Sequence, residues 1–221
     1  MVNRAVLFWS GGKDCMMALD RIHETNHANV AYLLTTYDQT TNRVPFHGIH
    51  IDLIKAQAKS LRIPLLPVPL PHRPSNIEYQ DIIHKEFASL IDQGFNSVVF
   101  GDIFLEDLRA YRESLLNNMP LEASFPLWGR STRELTAKFL SRGYKAVICG
   151  IDIKKVHEIF LGNDFDEDFL LYLPSSVDPC GEHGEFHTFT YGGPLFNKTI
   201  HFEANLKPHS LLGKYKYIDL D

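Results

Sequence analysis

Long apolar runs are missing from this 221-residue chain. None approaches the roughly 20 residues that a membrane-spanning helix needs. The opening Met1-Val2-Asn3-Arg4 runs straight into a strand-like stretch, without the apolar region and cleavage site of a secretory signal. Cysteine is scarce: three widely spaced residues build no disulfide framework and fit a reducing compartment. An excess of positive charge is absent too. With 22 Lys and Arg against 27 Asp and Glu the net charge is −5, which argues against gripping nucleic acid over a broad basic surface. Internal repeats and low-complexity tracts are also lacking. What remains is a cytoplasmic globular protein, long enough to bury a substantial core as one large domain or two unequal ones.

Strand-like and helix-like segments alternate from the start. Ala5-Val6-Leu7-Phe8-Trp9 is a short apolar run that ends in a Ser-Gly-Gly turn, as a buried strand does. Cys15, Ala18, Leu19 and Ile22 then form one stripe of a helix. Val30 to Tyr37 and Leu65 to Leu70 read as strands, with a helical stripe at Ile51, Ile54, Ala58 and Leu61 between them. Capping-box patterns at Ser75-Asn76-Ile77-Glu78 and Ser131-Thr132-Arg133-Glu134 open further helices, and Gly94 and Gly143 end them. Strands follow at Val98-Val99-Phe100 and Ala146-Val147-Ile148-Cys149. Such alternation predicts parallel strands joined by helical crossovers. After Trp128 the pattern weakens. The last 60 or so residues, rich in aromatics, glycine and proline, predict a smaller second lobe.

Two stretches concentrate chemistry. Ser10-Gly11-Gly12-Lys13-Asp14 lies between the first strand and the first helix, where open α/β sheets bind ligands. A glycine pair lets backbone N–H groups approach an anion, the helix offers its positive end, and Lys13 adds a full charge. Asp14 suits holding the loop or positioning a metal. This is no Walker loop, which needs G-x-x-x-x-G-K-[ST]. The second stretch, Asp178-Pro179-Cys180-Gly181-Glu182-His183-Gly184-Glu185-Phe186-His187-Thr188, leaves three readings open. Cys180, His183 and His187 have near-zinc spacing; a cysteine beside a histidine is a nucleophile pair; glycines between carboxylates make a substrate-binding loop. Between the two, Asp102 follows a strand in Gly101-Asp102, and Arg109 and Glu113 are i, i+4 neighbours that a plain surface ion pair also explains. Asp164, Asp166 and Asp168 imitate the start of a calcium loop, but Phe169 and Ser175 stand where that loop needs glycine and glutamate, so a solvated acidic turn is expected.

The loop resembles the SGGKDS signature of the N-type ATP pyrophosphatases, with Cys15 in place of the usual serine. The run Gly181 to Thr188 resembles the G-E-x-G-E-[FY] motif of the diphthine–ammonia ligase family. Gly101-Asp102-Ile103, the Arg109–Glu113 helix and Pro126-Leu127-Trp128 follow that family's order. This resemblance implies an α/β fold of the adenine-nucleotide α-hydrolase type, a parallel five-stranded sheet with helices on both faces, in an ATP-binding domain (1–128) and a C-terminal substrate-binding lobe (129–221). It implies cleavage of ATP to AMP and pyrophosphate, with Mg²⁺, adenylation of a carboxylate, and amide formation with ammonia. The acceptor so implied is a modified histidine on a translation factor, and a homodimer is an assembly it allows. Other acceptors, a small metabolite or tRNA, and a non-catalytic nucleotide-binding role stay open. The expected nucleotide-binding residues are Ser10, Gly11, Gly12, Lys13, Asp14, Gly101 and Asp102. Lys13, Asp14, Glu182 and Glu185 are the expected catalytic residues. His47, Arg109, Glu113, Gly181, Glu182, Gly184, Glu185 and His187 are expected to contact substrate; no metal ligands are assigned among them.

Overall fold

The computed structural model describes residues 3–211 and 214–220; Met1 and Val2, the run into the first strand, lie outside the described residues. Five strands form a parallel sheet in the order β3-β2-β1-β4-β5: β1 (Asn3–Phe8), β2 (Ala28–Asp38), β3 (Leu65–Leu70), β4 (Ser97–Val99) and β5 (Glu122–Ser124). The helices are α1 (Lys13–Thr25), α2 (Ile51–Leu61), α3 (Asn76–Asp92), α4 (Glu106–Ser114), α5 (Thr132–Ser141) and α6 (Glu167–Tyr172). A second, antiparallel sheet follows in the order β7-β6-β9-β8, from β6 (Lys145–Asp152), β7 (Phe186–Gly192), β8 (Ala204–Leu211) and β9 (Tyr215–Leu220). No helix is long and apolar enough to cross a membrane among the described residues.

The five-stranded parallel sheet is the one expected, with one correction. Ala146–Cys149, expected to run parallel with the rest, lies in β6 and pairs antiparallel with β7 and β9. The fifth parallel strand is instead Glu122-Ala123-Ser124, three residues that are half-buried or exposed. An edge strand this short has no apolar run, and so no periodic signal.

Alternation along the strands sorts the core. Ala5 and Leu7 of β1 face one cluster, shared with α1, α2, α5 and the second sheet. Val6, Leu34, Val68, Val98 and Phe100 face the other, against Ile83, Phe87 and Leu90 of α3. Side chains two apart share a face of the pleat, so one sheet is buried on both sides. The caps behave as their residues predict: Ser75 and Glu78 exchange both capping-box bonds, at 3.2 and 2.9 Å, Ser131 accepts from Glu134 N, and Gly94 and Gly143 take positive φ.

The two sheets are tied together at the end of β1. Gln57 of α2, fully buried, accepts from Trp9 Nε1 at 2.7 Å and donates to the carbonyls of Gly11 (2.9 Å) and Thr190 (2.6 Å). Without it the buried Trp9 Nε1 loses the partner it has here and the two carbonyls lose a donor, and a buried unpaired polar group costs about 1–3 kcal/mol. Gln57→Leu is therefore expected to lower stability by at least about 2 kcal/mol. The midpoint of a urea transition measures it; a change below about 0.5 kcal/mol would show the three partners re-pairing elsewhere.

Candidate active site

β1 ends next to β4, where the strand order turns back on itself, so the crevice beyond these strand ends is the place for a ligand. The loop Ser10–Asp14 fills one side of it. Gly11 takes φ +85°, and a Cβ there would stand 2.5 Å from Ile54 Cδ1. On Gly12 a Cβ would stand 3.1 Å from the Thr188 carbonyl oxygen and 3.4 Å from His47 Nε2. The glycine pair is thus required by packing as well as by any anion. Strand β7 holds the loop from outside: Thr190 N donates to the Gly11 carbonyl at 2.9 Å, and Lys13 N to Thr188 Oγ1 at 3.0 Å. Gly12 has no side chain to cap α1, so apart from the Thr188 hydroxyl on Lys13 N the helix N-terminus keeps its partial positive charge at the crevice. Cys15 is buried and its thiol donates to the Gly12 carbonyl at 3.1 Å; burial pushes its pKa to about 11, so it stays a neutral packing residue.

Lys13 is 2% exposed. Its ammonium donates to both carboxylate oxygens of Asp14, at 2.9 and 3.0 Å, and to the carbonyl of Cys180, and it lies 5.2 Å from the centre of the Phe186 ring. Burial works against the charge. The negative potential of Asp14 and Glu182 outweighs it and holds the pKa above its ordinary value, so Lys13 is a cation throughout the physiological range.

The second signature folds over this lysine. Asp178 Oδ1 accepts from Cys180 N (2.9 Å) and Glu182 N (3.3 Å), closing a turn. The two glutamates that the motif spaces alike then part company. Glu185 turns inward, with no exposed surface, and accepts from His183 N at 3.0 Å and Asp178 N at 3.4 Å, bracing the turn from beneath. Glu182 reaches across to β4's end, where Oε1 accepts from Ile103 N (2.7 Å) and Phe104 N (3.4 Å). Burial, and next the charge of Asp14, raise its pKa from 4.5 to about 7. Gly181 and Gly184 both take positive φ, and Gly181 packs on the Phe186 ring, 2.9 Å from where a Cβ would sit.

Gly101 meets the loop, and the charge of Asp102 acts on Asp14. A Cβ on Gly101 would stand 3.1 Å from the backbone of Asp14 and Cys15, so the end of β4 approaches the first turn of α1 directly. His47 is brought in from the segment after β2, its ring 4.7 Å from that of His187. Burial lowers the pKa of His47 to about 4 and that of His187 well below its ordinary value, so both imidazoles are neutral. Arg109 and Glu113 pair with each other at 2.8 Å, with Arg109 over the rings of Trp128 and Phe125. It is Arg112, which sequence reasoning passed over, that approaches Asp102, at 3.7 Å, over Phe8 and Phe100. Gln57 and Thr188 were also missed. A lone glutamine in a helix and a threonine in a strand carry no signal until the sheets meet.

The zinc and thiol readings do not survive the geometry. Cys180 points its thiol at the Thr132 carbonyl, His183 lies against Phe104, and His187 against His47. Among the described residues no three His, Cys, Asp or Glu side chains come together as a metal-holding group. Burial drives the Cys180 thiol pKa far up, which removes the thiolate a nucleophile needs. Of the aspartates that mimic a calcium loop, Asp166 caps α6 and Asp164 accepts from Tyr191 Oη.

Residues 3–122 match the family model described as diphthamide synthase N-terminal domain, and residues 131–218 the model described as diphthamide synthase C-terminal domain. Among curated proteins, diphthine–ammonia ligase from Bos taurus is 33% identical over 109 residues, 45% of this chain and 39% of the relative. The enzyme of the same name from Danio rerio is 30% identical over 132 residues, 57% of this chain and 50% of the relative. That from Homo sapiens is 32% identical over 109 residues, 45% of this chain and 39% of the relative. The match thus spans half or less of these relatives' length. Among solved structures, one described as a predicted subunit of tRNA methyltransferase from Methanocaldococcus jannaschii aligns over 70% of this chain and 80% of its own, at 18% identity and a TM-score of 0.42. That likeness is too distant to carry a shared fold or role.

The raised Glu182 pKa has a sign that stability can read. The folded state holds a proton on Glu182 that the unfolded state releases between about pH 4.5 and 7, so this group makes stability fall as pH rises through that window. The depressed histidines act in the opposite sense, from about pH 4 up to 6.5 for His47, and a comparison with Glu182→Gln cancels them. The melting temperature of the variant relative to wild type should climb from pH 4.5 to 7. A flat difference would mean that Glu182 titrates as an ordinary carboxyl.

Proposed function

The chain belongs to the diphthamide synthase family, and on that premise we propose that it is an ATP-dependent ligase. It cleaves ATP to AMP and pyrophosphate, adenylates a carboxylate and converts the acyl-adenylate to an amide with ammonia. The observation that carries this reading is Lys13: a buried cation in the first turn of a helix whose N-cap, Gly12, has no side chain, with Glu182 and the end of β4 converging on it from two other parts of the chain. A pyrophosphate group needs just such a charge beside free backbone N–H groups.

In this reading the β and γ phosphates take over the place on Lys13 that the Cys180 carbonyl occupies, so the 178–184 turn moves when nucleotide enters. Asp14 and Asp102 suit Mg²⁺, which binds through one or two carboxylates and otherwise through phosphate oxygens and water rather than in an all-protein cage. When bound, that ion neutralises charge on the phosphates. The substrate carboxylate attacks the α phosphorus and pyrophosphate leaves; ammonia then attacks the activated carbonyl, AMP leaves, and one proton must be removed. Glu182, with a pKa near 7 at the edge of the crevice, is suited to accept that proton. Glu185 acts as a positioning residue beneath the turn. His47 and His187 line the crevice as neutral groups, and Arg109 and Glu113 stand on α4 as the outer contacts for the acceptor. The acceptor we favour, by family, is a modified histidine on a translation factor. Residues 1–128 would carry the nucleotide and 129–221 the acceptor side, in a cytoplasmic enzyme able to pair as a homodimer.

Product analysis tests the reaction. With ATP, Mg²⁺ and ammonium, and with candidate carboxylates, the products should be AMP and pyrophosphate; ADP and phosphate would overturn the proposal. Lys13→Ala should lower turnover at least about tenfold, since a lost charge-assisted hydrogen bond is worth about 1.5–3 kcal/mol. Wild-type turnover in that variant would remove Lys13 from the mechanism.

A further inference from the structure

Phe46 sits in a conformation that bulky side chains avoid. Its φ is +63°, and His47 N donates across it to the Pro45 carbonyl at 2.8 Å. An i to i+2 bond around a positive-φ residue is the rare, strained form of the γ-turn. Phe46 is also 69% exposed, so packing of its ring does not offset the strain. The turn is fixed by its neighbours instead: Gly48 N donates to the Val44 carbonyl and Val44 N to that of Ile49, both at 2.9 Å. Arg43 donates to the Gly48 carbonyl at 2.6 Å and pairs with Asp219 at 2.8 Å. The Cys149 thiol donates to the His47 carbonyl. Strain held by so many fixed contacts belongs to positions where the shape serves a ligand. Here it turns His47 in towards Gly12 and leaves the Phe46 ring standing outside, one residue away.

The surroundings say which ligand. On the β4 side of the loop the crevice is lined with carboxylates, Asp14, Asp102, Asp178 and Glu182, whose charges act on one another. On the β2 side it is lined with uncharged rings: His47 lies beside His187, and His187 stacks parallel to Tyr217 at 6.4 Å. Cationic groups favour the first side; a flat, neutral, polarisable ring favours the second. We propose that Phe46, exposed and one residue from the His47 that meets Gly12, is the platform on which the adenine ring of ATP stacks. This rests on the nucleotide reading above, and extends it to the base.

Isothermal titration of the 221-residue chain with ATP and, separately, with inorganic tripolyphosphate tests the assignment. Removing an aromatic face from a stacked base should weaken ATP binding about five- to a hundredfold in Phe46→Ala, and leave tripolyphosphate, which has no base, unchanged. Phe46→Trp should bind ATP at least as well as wild type. Phe46→Gly relieves the positive φ, so it should melt about 2–4 °C higher and yet bind ATP as poorly as the alanine variant; a stabilised protein with weakened binding rules out misfolding as the cause. Equal ATP affinity in wild type and Phe46→Ala overturns the proposal. So does a parallel loss for both ligands, which would mean that Phe46 only shapes the loop. If wild type binds neither ligand, the nucleotide reading itself falls, a result distinct from either.

Discussion

A lysine ammonium cannot be buried alone. Removed from water, Lys13 must find both opposite charge and hydrogen-bond acceptors, and these come from different parts of the chain. Asp14 follows it in the helix, the Cys180 carbonyl comes from the turn before β7, and β7 itself supplies Thr188 to the backbone N–H of Lys13. The turn can offer Cys180 only because Asp178 and Glu185 hold its backbone from two sides. Glu182 then latches that same turn to the end of β4. The second sheet is therefore a wall of the Ser10–Asp14 loop, with shared apolar core and shared hydrogen bonds, and that loop is not held in place without it.

The same arrangement divides the crevice electrically. Carboxylates collect on the side of β4, where burial first, and then the charges of Asp14 and Asp102, bring the Glu182 carboxyl near neutrality. On the side of β2 the histidines are deprived of solvent and face a permanent cation, so they lose their charge. One side suits positively charged or proton-losing groups; the other suits neutral planar ones. Lys13 at the boundary suits the anionic part between them. A single buried charge thus stands between two sides of different electrical character.

Sequence alone determined a good deal. The strands β1 to β4, the helix caps and the glycine stops are local matters of periodicity and backbone freedom, and they were legible. The place of Ser10–Asp14 between β1 and α1 was legible because an apolar run, a glycine pair and a helical stripe are adjacent in the chain. Three kinds of fact were decided only by tertiary structure. β5 is an edge strand too short and too polar for a periodic signal, and β6 joins an antiparallel sheet although its own apolar run fits a parallel one equally well. Glu182 and Glu185 share one motif, but the first faces the crevice and the second the interior, because a turn with two positive-φ glycines sends neighbouring side chains in opposite directions. Gln57 and Thr188 gain their roles from partners 46 to 175 residues away, and Arg112 from Asp102 past the end of β4. Composition and spacing report on neighbours in the chain; burial, desolvation and proton affinity depend on neighbours in space, and those exist only once the two sheets have met.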